Sequence, residues 1–197
     1  MLRHLLTIVA LFAIGASGCG DGGPSAAERA AAREAEQAAE AKLQAEREAE
    51  REGRRLAALW TYHDVTVDQE RQQTAAINSL EDVDTDGRSA RSVRLIFRDH
   101  SSWGRSSYLV LQAGDFDCSP RCVVSVTADS FAPAKMNAWR PVTDEAIAMF
   151  IDDAQGLWRL ATSTDRISID FPVKAGGTRT ASFEVAGLDA SKLPGWE

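Results

Sequence analysis

Alternating apolar and polar residues fill the chain from residue 58 onward. The alternation is clearest in Val93-Arg94-Leu95-Ile96-Phe97 and Ile167-Ser168-Ile169-Asp170-Phe171, where every second side chain is apolar. A period of two is typical of β-strands that bury one face. The pattern predicts eight strands, at residues 58–67, 72–80, 92–98, 107–112, 122–128, 146–151, 166–171 and 180–186.

One short helix is predicted among these strands, over residues 154–161, with apolar residues on one face: Leu157, Trp158 and Leu160. Asp152 or Asp153 can cap its first turn. Many short strands with a single helix are typical of an all-β core. We therefore predict a mainly-β domain over residues 58–197, built as a small antiparallel β-sandwich or an open barrel.

A different pattern precedes this domain, because residues 25–55 consist almost entirely of Ala, Glu, Arg and Gln. These residues favour helix, and Ser25 with Glu28 has the spacing of a capping box. We predict a helical spacer over residues 25–57. Leu43 is its only large apolar residue before position 56, which leaves three interpretations open: a solvated single helix, a weakly self-associating coiled coil, or a helix that docks on a partner.

Composition narrows the class of protein. The 197 residues carry a formal net charge of -7, so a general nucleic-acid role is disfavoured, since phosphate binding needs clustered Lys and Arg. A polytopic membrane protein is excluded, because only one stretch is long and apolar, at the N-terminus.

That N-terminal stretch has the order of a secretory signal. Arg3 and His4 precede an apolar run at residues 5–14, and small residues then lead to Cys19. The run is too short for a membrane span, which needs roughly 20 residues. Residues 1–18 are therefore predicted to be a signal peptide.

The segment Ala16-Ser17-Gly18-Cys19 resembles the bacterial lipobox. The resemblance implies cleavage before Cys19, acyl chains on this residue and stable membrane anchoring. Gly20 after the cysteine implies, by enteric sorting rules, the outer membrane facing the periplasm. The alternative is an ordinary secretory signal cut near Ala16. Residues 19–24 are predicted to be a flexible tether.

The two other cysteines, Cys118 and Cys122, form an even pair in a chain predicted to be exported, which favours a disulfide. Three residues separate them, and Pro120 among these favours a turn. A redox-active pair typically has two intervening residues and opens a helix. We predict a structural disulfide at a turn between two strands.

Two side-chain groups suggest binding. Trp103 with Arg105 and Trp139 with Arg140 have the composition of protein-contact hot spots, although each Trp could instead cover an open end of the sandwich. The spacing of Asp82, Asp84 and Asp86 resembles the start of a calcium loop, without its closing Glu. Weak calcium binding and a solvated acidic turn both fit these three residues.

Familiar catalytic constellations are absent from the sequence: it has no Gly-rich phosphate loop, nucleophile elbow or His-Glu-x-x-His motif. His63 and Asp64 are neighbours whose side chains would point to opposite faces of a strand. We predict a non-enzymatic protein with no cofactor.

Several landmarks of the domain occur together with a characteristic order: Leu59-Trp60-Thr61-Tyr62, Ile77-Asn78-Ser79, Val93-Arg94-Leu95-Ile96-Phe97-Arg98, Gly114-Asp115-Phe116-Asp117-Cys118, Cys122-Val123-Val124-Ser125-Val126 and Thr180-Ala181-Ser182-Phe183-Glu184-Val185-Ala186-Gly187-Leu188. This order resembles the small β-sandwich of exported bacterial VasI-like proteins, which are associated with type VI secretion, and of invasion-associated locus B proteins.

The lipobox and this resemblance together predict an envelope lipoprotein whose domain binds a protein partner, as an accessory component of a secretion system; the lipobox and the helical spacer are departures from the VasI-like pattern. An inhibitor or immunity lipoprotein against a periplasmic toxin or hydrolase is the alternative, since an acidic domain would attract a basic enzyme. The oligomeric state is left open.

Overall fold

The computed structural model describes residues 23–129, 131–141 and 147–196 of the chain. The chain divides into two compact units, residues 1–46 and 47–197. The predicted signal peptide and Cys19 lie outside the described residues.

A long helix, α1, runs over Ala26–Ala57. Its capping box is confirmed: Ser25 accepts from the Glu28 amide at 3.2 Å, and Glu28 accepts from the Ser25 amide at 2.6 Å. Ion pairs also occur along the helix, with Arg54 bonded to Glu50 at 2.6 Å. No residue of α1 is buried, as expected of so polar a sequence.

The described residues of the second unit form eleven strands and one further helix beyond the end of α1. The strands are β1 (Trp60–Val67), β2 (Glu70–Asn78), β3 (Val83–Asp84), β4 (Ala90–Arg91), β5 (Arg94–His100), β6 (Gly104–Val110), β7 (Cys122–Ala128), β8 (Ala134–Trp139), β9 (Ala148–Ile151), β10 (Arg166–Pro172) and β11 (Thr178–Glu184). Helix α2 spans Ala154–Ser163, and two 3₁₀ turns, Ala190–Lys192 and Pro194–Trp196, follow β11.

Nine of these strands form one antiparallel sheet, in the order β1-β2-β5-β6-β9-β8-β7-β10-β11, while β3 and β4 pair separately. The inner side chains of this sheet share a single core with α2 and the C-terminal turns. Phe97 of β5, for example, contacts Trp158 of α2 and Trp196, with ring centroids 5.1 and 5.4 Å apart. The Leu80 amide, just after β2, donates to Ser182 of β11 at 2.8 Å. The sheet therefore curls until its two ends meet.

The predicted fold class is confirmed as mainly β and sandwich-like, with one short helix after a long charged one. Of the two predicted capping residues, Asp153 caps α2: its carboxylate accepts a hydrogen bond from the Gly156 amide at 2.8 Å. Each of the eight predicted strands overlaps an observed strand, and β7 has the predicted bounds. The prediction missed β8, β3 and β4.

The end of α1 contacts the end of β11 within the second unit. Arg55 donates two hydrogen bonds to the Glu184 carboxylate, at 2.9 and 2.8 Å. Gly187 packs against the Leu56 backbone so closely that an added Cβ would overlap it. Glycine is needed at this position because the two backbones touch.

Candidate protein-binding surface

Aromatic side chains line up across three neighbouring strands on the outer face of the sheet, the face turned away from the core. Tyr108 of β6 is opposite Phe150 of β9, and Phe150 is opposite Trp139 of β8. The ring centroids are 4.9 and 4.8 Å apart, and the second pair is stacked with an interplanar angle of 16°. Directly opposed residues share a face, so the register itself builds this row.

Arg98 extends the row onto β5. Its guanidinium carbon lies 5.3 Å from the ring centre of Trp103, 5.5 Å from Tyr108 and 5.8 Å from Phe150. The Nε group donates to Ser106 Oγ at 3.1 Å. These distances are within the range of cation–π attraction. The arginine is therefore held in place by rings.

Trp103 lies in the turn between β5 and β6, where Gly104 adopts a φ of 68°. Its ring stacks on His100 with centroids 4.0 Å apart and an angle of 13°. His100 is buried and held at both nitrogens: Nδ1 accepts from the Ser102 amide at 3.2 Å, and Nε2 lies 3.6 Å from Glu70. Trp103 is nevertheless 67% exposed.

These residues form one continuous surface, which we call the aromatic–arginine strip: His100, Trp103, Arg98, Tyr108, Phe150 and Trp139. Its two ends are exposed indoles, and its middle is partly buried. Burial raises the pKa of the Tyr108 phenol, with Arg98 acting in the opposite direction. An ordered, exposed Trp beside an Arg is typical of the few residues that carry most of the energy in protein interfaces.

The outer face of the strands that carry the strip is basic, although the chain as a whole is acidic. In the described strands β5, β6, β8 and β9, the outer positions carry three basic residues and no acidic one: Arg94, Arg98 and Lys135. Asp152 follows β9 and is paired with Arg121. By contrast, the outer face of β10 and β11 is hydroxyl-rich, with Ser168 and Ser182 hydrogen-bonded at 2.8 Å. The aromatic character is therefore confined to one half of the sheet.

The structure brings Trp103 and Trp139 into the same strip, but places the arginines beside them in the sequence elsewhere. Arg105 lies opposite Asp99 and donates to Gln155 of α2 at 3.3 Å. Arg140 donates to Asp115 at 2.6 Å. Arg140 directly follows Trp139, and neighbouring side chains along a strand point to opposite faces. Arg105, opposite Asp99, shares the core-side face of the sheet with the Phe97–Ser107 pair.

Arg140 belongs to a partly buried ion-pair group with Asp115 and Lys174. Lys174 donates to the second Asp115 oxygen at 2.7 Å. Burial alone would raise the pKa of Asp115, but the hydrogen bonds from Lys174 and Arg140 outweigh it and the pKa is lowered. This group connects three loops around the end of β10 and is structural in character.

The predicted disulfide is confirmed, since Cys118 and Cys122 are bonded, with Cα atoms 4.9 Å apart. It links the loop after β6 to the first residue of β7. Cys118 is buried within the core.

The carboxylates of the acidic segment after β2 accept hydrogen bonds from backbone amides of their own turn. Asp84 accepts from the Gly87 amide at 2.7 Å, and Asp86 accepts from the Arg88 and Ser89 amides at 2.8 and 3.0 Å. The third carboxylate, Asp82, does not form a group of potential metal ligands with Asp84 and Asp86. Within the ranges that the structure describes, no group of three potential metal ligands occurs.

His63 and His100 lie on the outer face of the sheet, and among the described residues neither imidazole is hydrogen-bonded to a serine hydroxyl. Asp64 turns to the other face, where Arg71 donates to it at 2.9 and 2.5 Å, so His63 and Asp64 point apart as predicted. Near His100, the Ser102 hydroxyl donates to Glu70 at 2.6 Å and is not directed at the imidazole.

Comparison with known proteins found no match: no family model, no curated protein and no solved structure is similar to this chain. Among the described residues, no helix combines the length and apolar character that a membrane crossing requires.

Proposed function

We propose that this chain is a bacterial envelope lipoprotein whose β-sandwich domain binds a protein partner through the aromatic–arginine strip. Cys19 carries the lipid and holds the protein at a membrane, the outer membrane facing the periplasm. The helical spacer lies between this anchor and the domain in the sequence. The resemblance to VasI-like proteins suggests an accessory role in a secretion system.

The observation that carries this proposal is the exposure of Trp103. An indole that is 67% exposed buries only a minor part of its surface in the monomer, yet His100 and Arg98 fix its position. A fixed side chain loses little conformational entropy on binding, so an ordered aromatic residue makes an efficient anchor. Trp139 supplies a second anchor at the far end of the strip.

A photo-crosslinking amino acid placed at position 103 or 139 tests the proposal in cells. We expect it to capture an envelope protein, identified by mass spectrometry. The matched control position is Thr180, which is exposed on the hydroxyl-rich outer face of β11. Equal capture from position 180, or none from positions 103 and 139, would reject the strip as a binding surface.

The identity of the captured protein decides between the two functions. Components of a secretion apparatus would support the accessory role, whereas a single secreted toxin or hydrolase would support the inhibitor. The inhibitor hypothesis expected a basic partner because of the net charge of -7. The outer positions of β5, β6, β8 and β9 carry basic residues and no acidic one, so this surface does not favour such a partner.

The lipid anchor has its own test. Cys19→Ala removes the only thiol that the lipobox resemblance assigns to acylation, so the variant is expected to lose fatty-acid labelling and to leave the membrane fraction. Replacing Cys118 and Cys122 by Ala is the control, which should keep the label. A Cys19→Ala chain that stays labelled would contradict the proposal.

A further inference from the structure

The aromatic–arginine strip has an unused hydrogen-bonding capacity at its centre. Of the three Arg98 nitrogens, only Nε has an acceptor among the described residues, Ser106 Oγ. Other arginines of the domain hold carboxylates: Arg55, Arg71, Arg121 and Arg140. Arg98 is paired with no carboxylate of the described chain, and its terminal nitrogens are available to a ligand.

The chemistry of the Arg98 guanidinium defines the class of ligand that it can bind. A guanidinium presents parallel N–H donors that match a carboxylate, and rings packed against it strengthen the pairing by excluding water. Arg94 and Lys135 add positive charge on the same outer face, and the strands of the strip contribute no carboxylate there. Glu70, near Trp103, is engaged by Ser102 and His100.

The dimensions of the strip indicate a short linear ligand. Arg98 lies on β5 and Trp139 on β8, three strand spacings away in the order β5-β6-β9-β8. At ~4.8 Å per spacing, this distance is about 14 Å, or roughly four residues of an extended peptide. A segment of that length would place a carboxylate at Arg98 and an apolar side chain against Trp103 or Trp139.

We propose that the strip binds an extended acidic peptide segment of the partner, in which an Asp or Glu that pairs with Arg98 is flanked by large apolar residues. This inference rests on the proposed function, because it names the chemistry of the partner at the same surface. Charge complementarity and the free Arg98 donors are its basis.

Selection from a displayed library of random 12-residue peptides tests it, with the full-length chain as bait. We expect enriched peptides to contain Asp or Glu beside Leu, Phe or Trp. Their Kd should rise at least ~10-fold with Arg98→Gln, and again when NaCl is raised from about 0.05 M to about 0.5 M. Arg159→Gln, on the exposed side of α2, is the matched control and should not change the Kd.

A second variant, Arg98→Lys, distinguishes weaker binding from a loss of folding. Arg98→Lys keeps the charge but not the paired donors, and we expect an intermediate Kd. Its thermal melting temperature should match that of the Arg98→Gln variant. Equal binding by wild type and both variants would overturn the inference.

The remaining outcomes separate the inference from the proposed function. Peptides that need Trp103 and Trp139 but show no acidic enrichment and no salt dependence would reject the acidic ligand and leave the binding surface intact. The absence of enriched peptides, or binding unchanged by Trp103→Ala with Trp139→Ala, would reject both. Retention of the chain on purified peptidoglycan that depends on the two indoles would replace the peptide with a glycan.

Discussion

At the scale of single residues, we expect the buried hydroxyl of Ser107 to weaken the fold. Its hydroxyl is fully buried opposite Phe97 and Ile151, and it has no hydrogen-bond partner among the described residues. Burying an unpaired hydroxyl costs about 1–3 kcal/mol. Ser107→Ala removes that cost, and we expect the free energy of unfolding in urea to rise by about 1 kcal/mol.

Ser168→Ala is the control for this substitution. The Ser168 hydroxyl is hydrogen-bonded to Ser182 at 2.8 Å, so its removal should lower the free energy of unfolding. If Ser107→Ala is as destabilising as Ser168→Ala, the Ser107 hydroxyl has a partner in solution.

The candidate site shows what single residues reveal in a sequence. Trp103 and Trp139 could be identified because each lies within two residues of an arginine, a composition typical of protein-contact hot spots. Arg98, Tyr108 and Phe150 could not be identified, because they meet only through the register of β5, β6 and β9. Register depends on long-range pairing that a local pattern does not contain.

At the scale of secondary-structure elements, β8 shows why a strand can escape prediction. Its residues, Ala134-Lys135-Met136-Asn137-Ala138-Trp139, include no β-branched side chain and favour strand weakly. The strand forms because β7 and β9 pair with both of its edges and bury Met136 and Ala138. Strands β3 and β4 are two residues each, too short for a period of two to be visible.

Two glycines near the junction of α1 and β11 predict opposite effects of the same added methyl group. Gly187→Ala would drive a Cβ into the Leu56 backbone, and we expect the free energy of unfolding to fall by about 1–3 kcal/mol. Gly53 lies inside α1 with open space around its Cα. Gly53→Ala should raise helix stability by about 0.5–1 kcal/mol.

Thermal and urea unfolding of the two variants, followed by circular dichroism, measures both effects. Equal stability of the Gly187→Ala variant and wild type would show that the contact between Leu56 and Gly187 is not maintained in solution.

At the scale of the whole molecule, the class of fold followed from the sequence because alternation, turn residues and length agree over residues 58–197. The sequence did not reveal that a single curled sheet supplies both faces of the core. That closure depends on contacts between distant segments, such as the hydrogen bond from Leu80 to Ser182. A sandwich of two sheets and one curled sheet have the same local pattern.

Ion pairs around the domain predict acid sensitivity. The pKa values of Asp64 and Glu184 are lowered by hydrogen bonds from Arg71 and Arg55, and that of Asp115 is lowered against the effect of burial. Carboxyl groups with a lower pKa in the folded state bind protons more readily when unfolded. Their stabilisation is therefore fully present above the unfolded values, near pH 4, and is lost as the pH falls through the folded values.

We expect the melting temperature to decline below about pH 4. Measurements of the melting temperature from about pH 7 to about pH 3 test this expectation. Asp115→Asn should reduce the slope of that decline, because Asp115 is the one of the three carboxylates that accepts hydrogen bonds from two basic side chains, Arg140 and Lys174. A melting temperature that is constant down to about pH 3 would contradict it.

The junction between α1 and the domain has a mechanical consequence. Arg55 donates two hydrogen bonds to Glu184, and the Leu56 backbone packs directly against Gly187. The chain is therefore attached to β11 at the point where it enters the domain. Tension applied to the chain ahead of Arg55 would pass to β11, then through its seven paired residues to β10. In a protein tethered at one end and held by a partner at the other, that path would carry the load before any strand peels away.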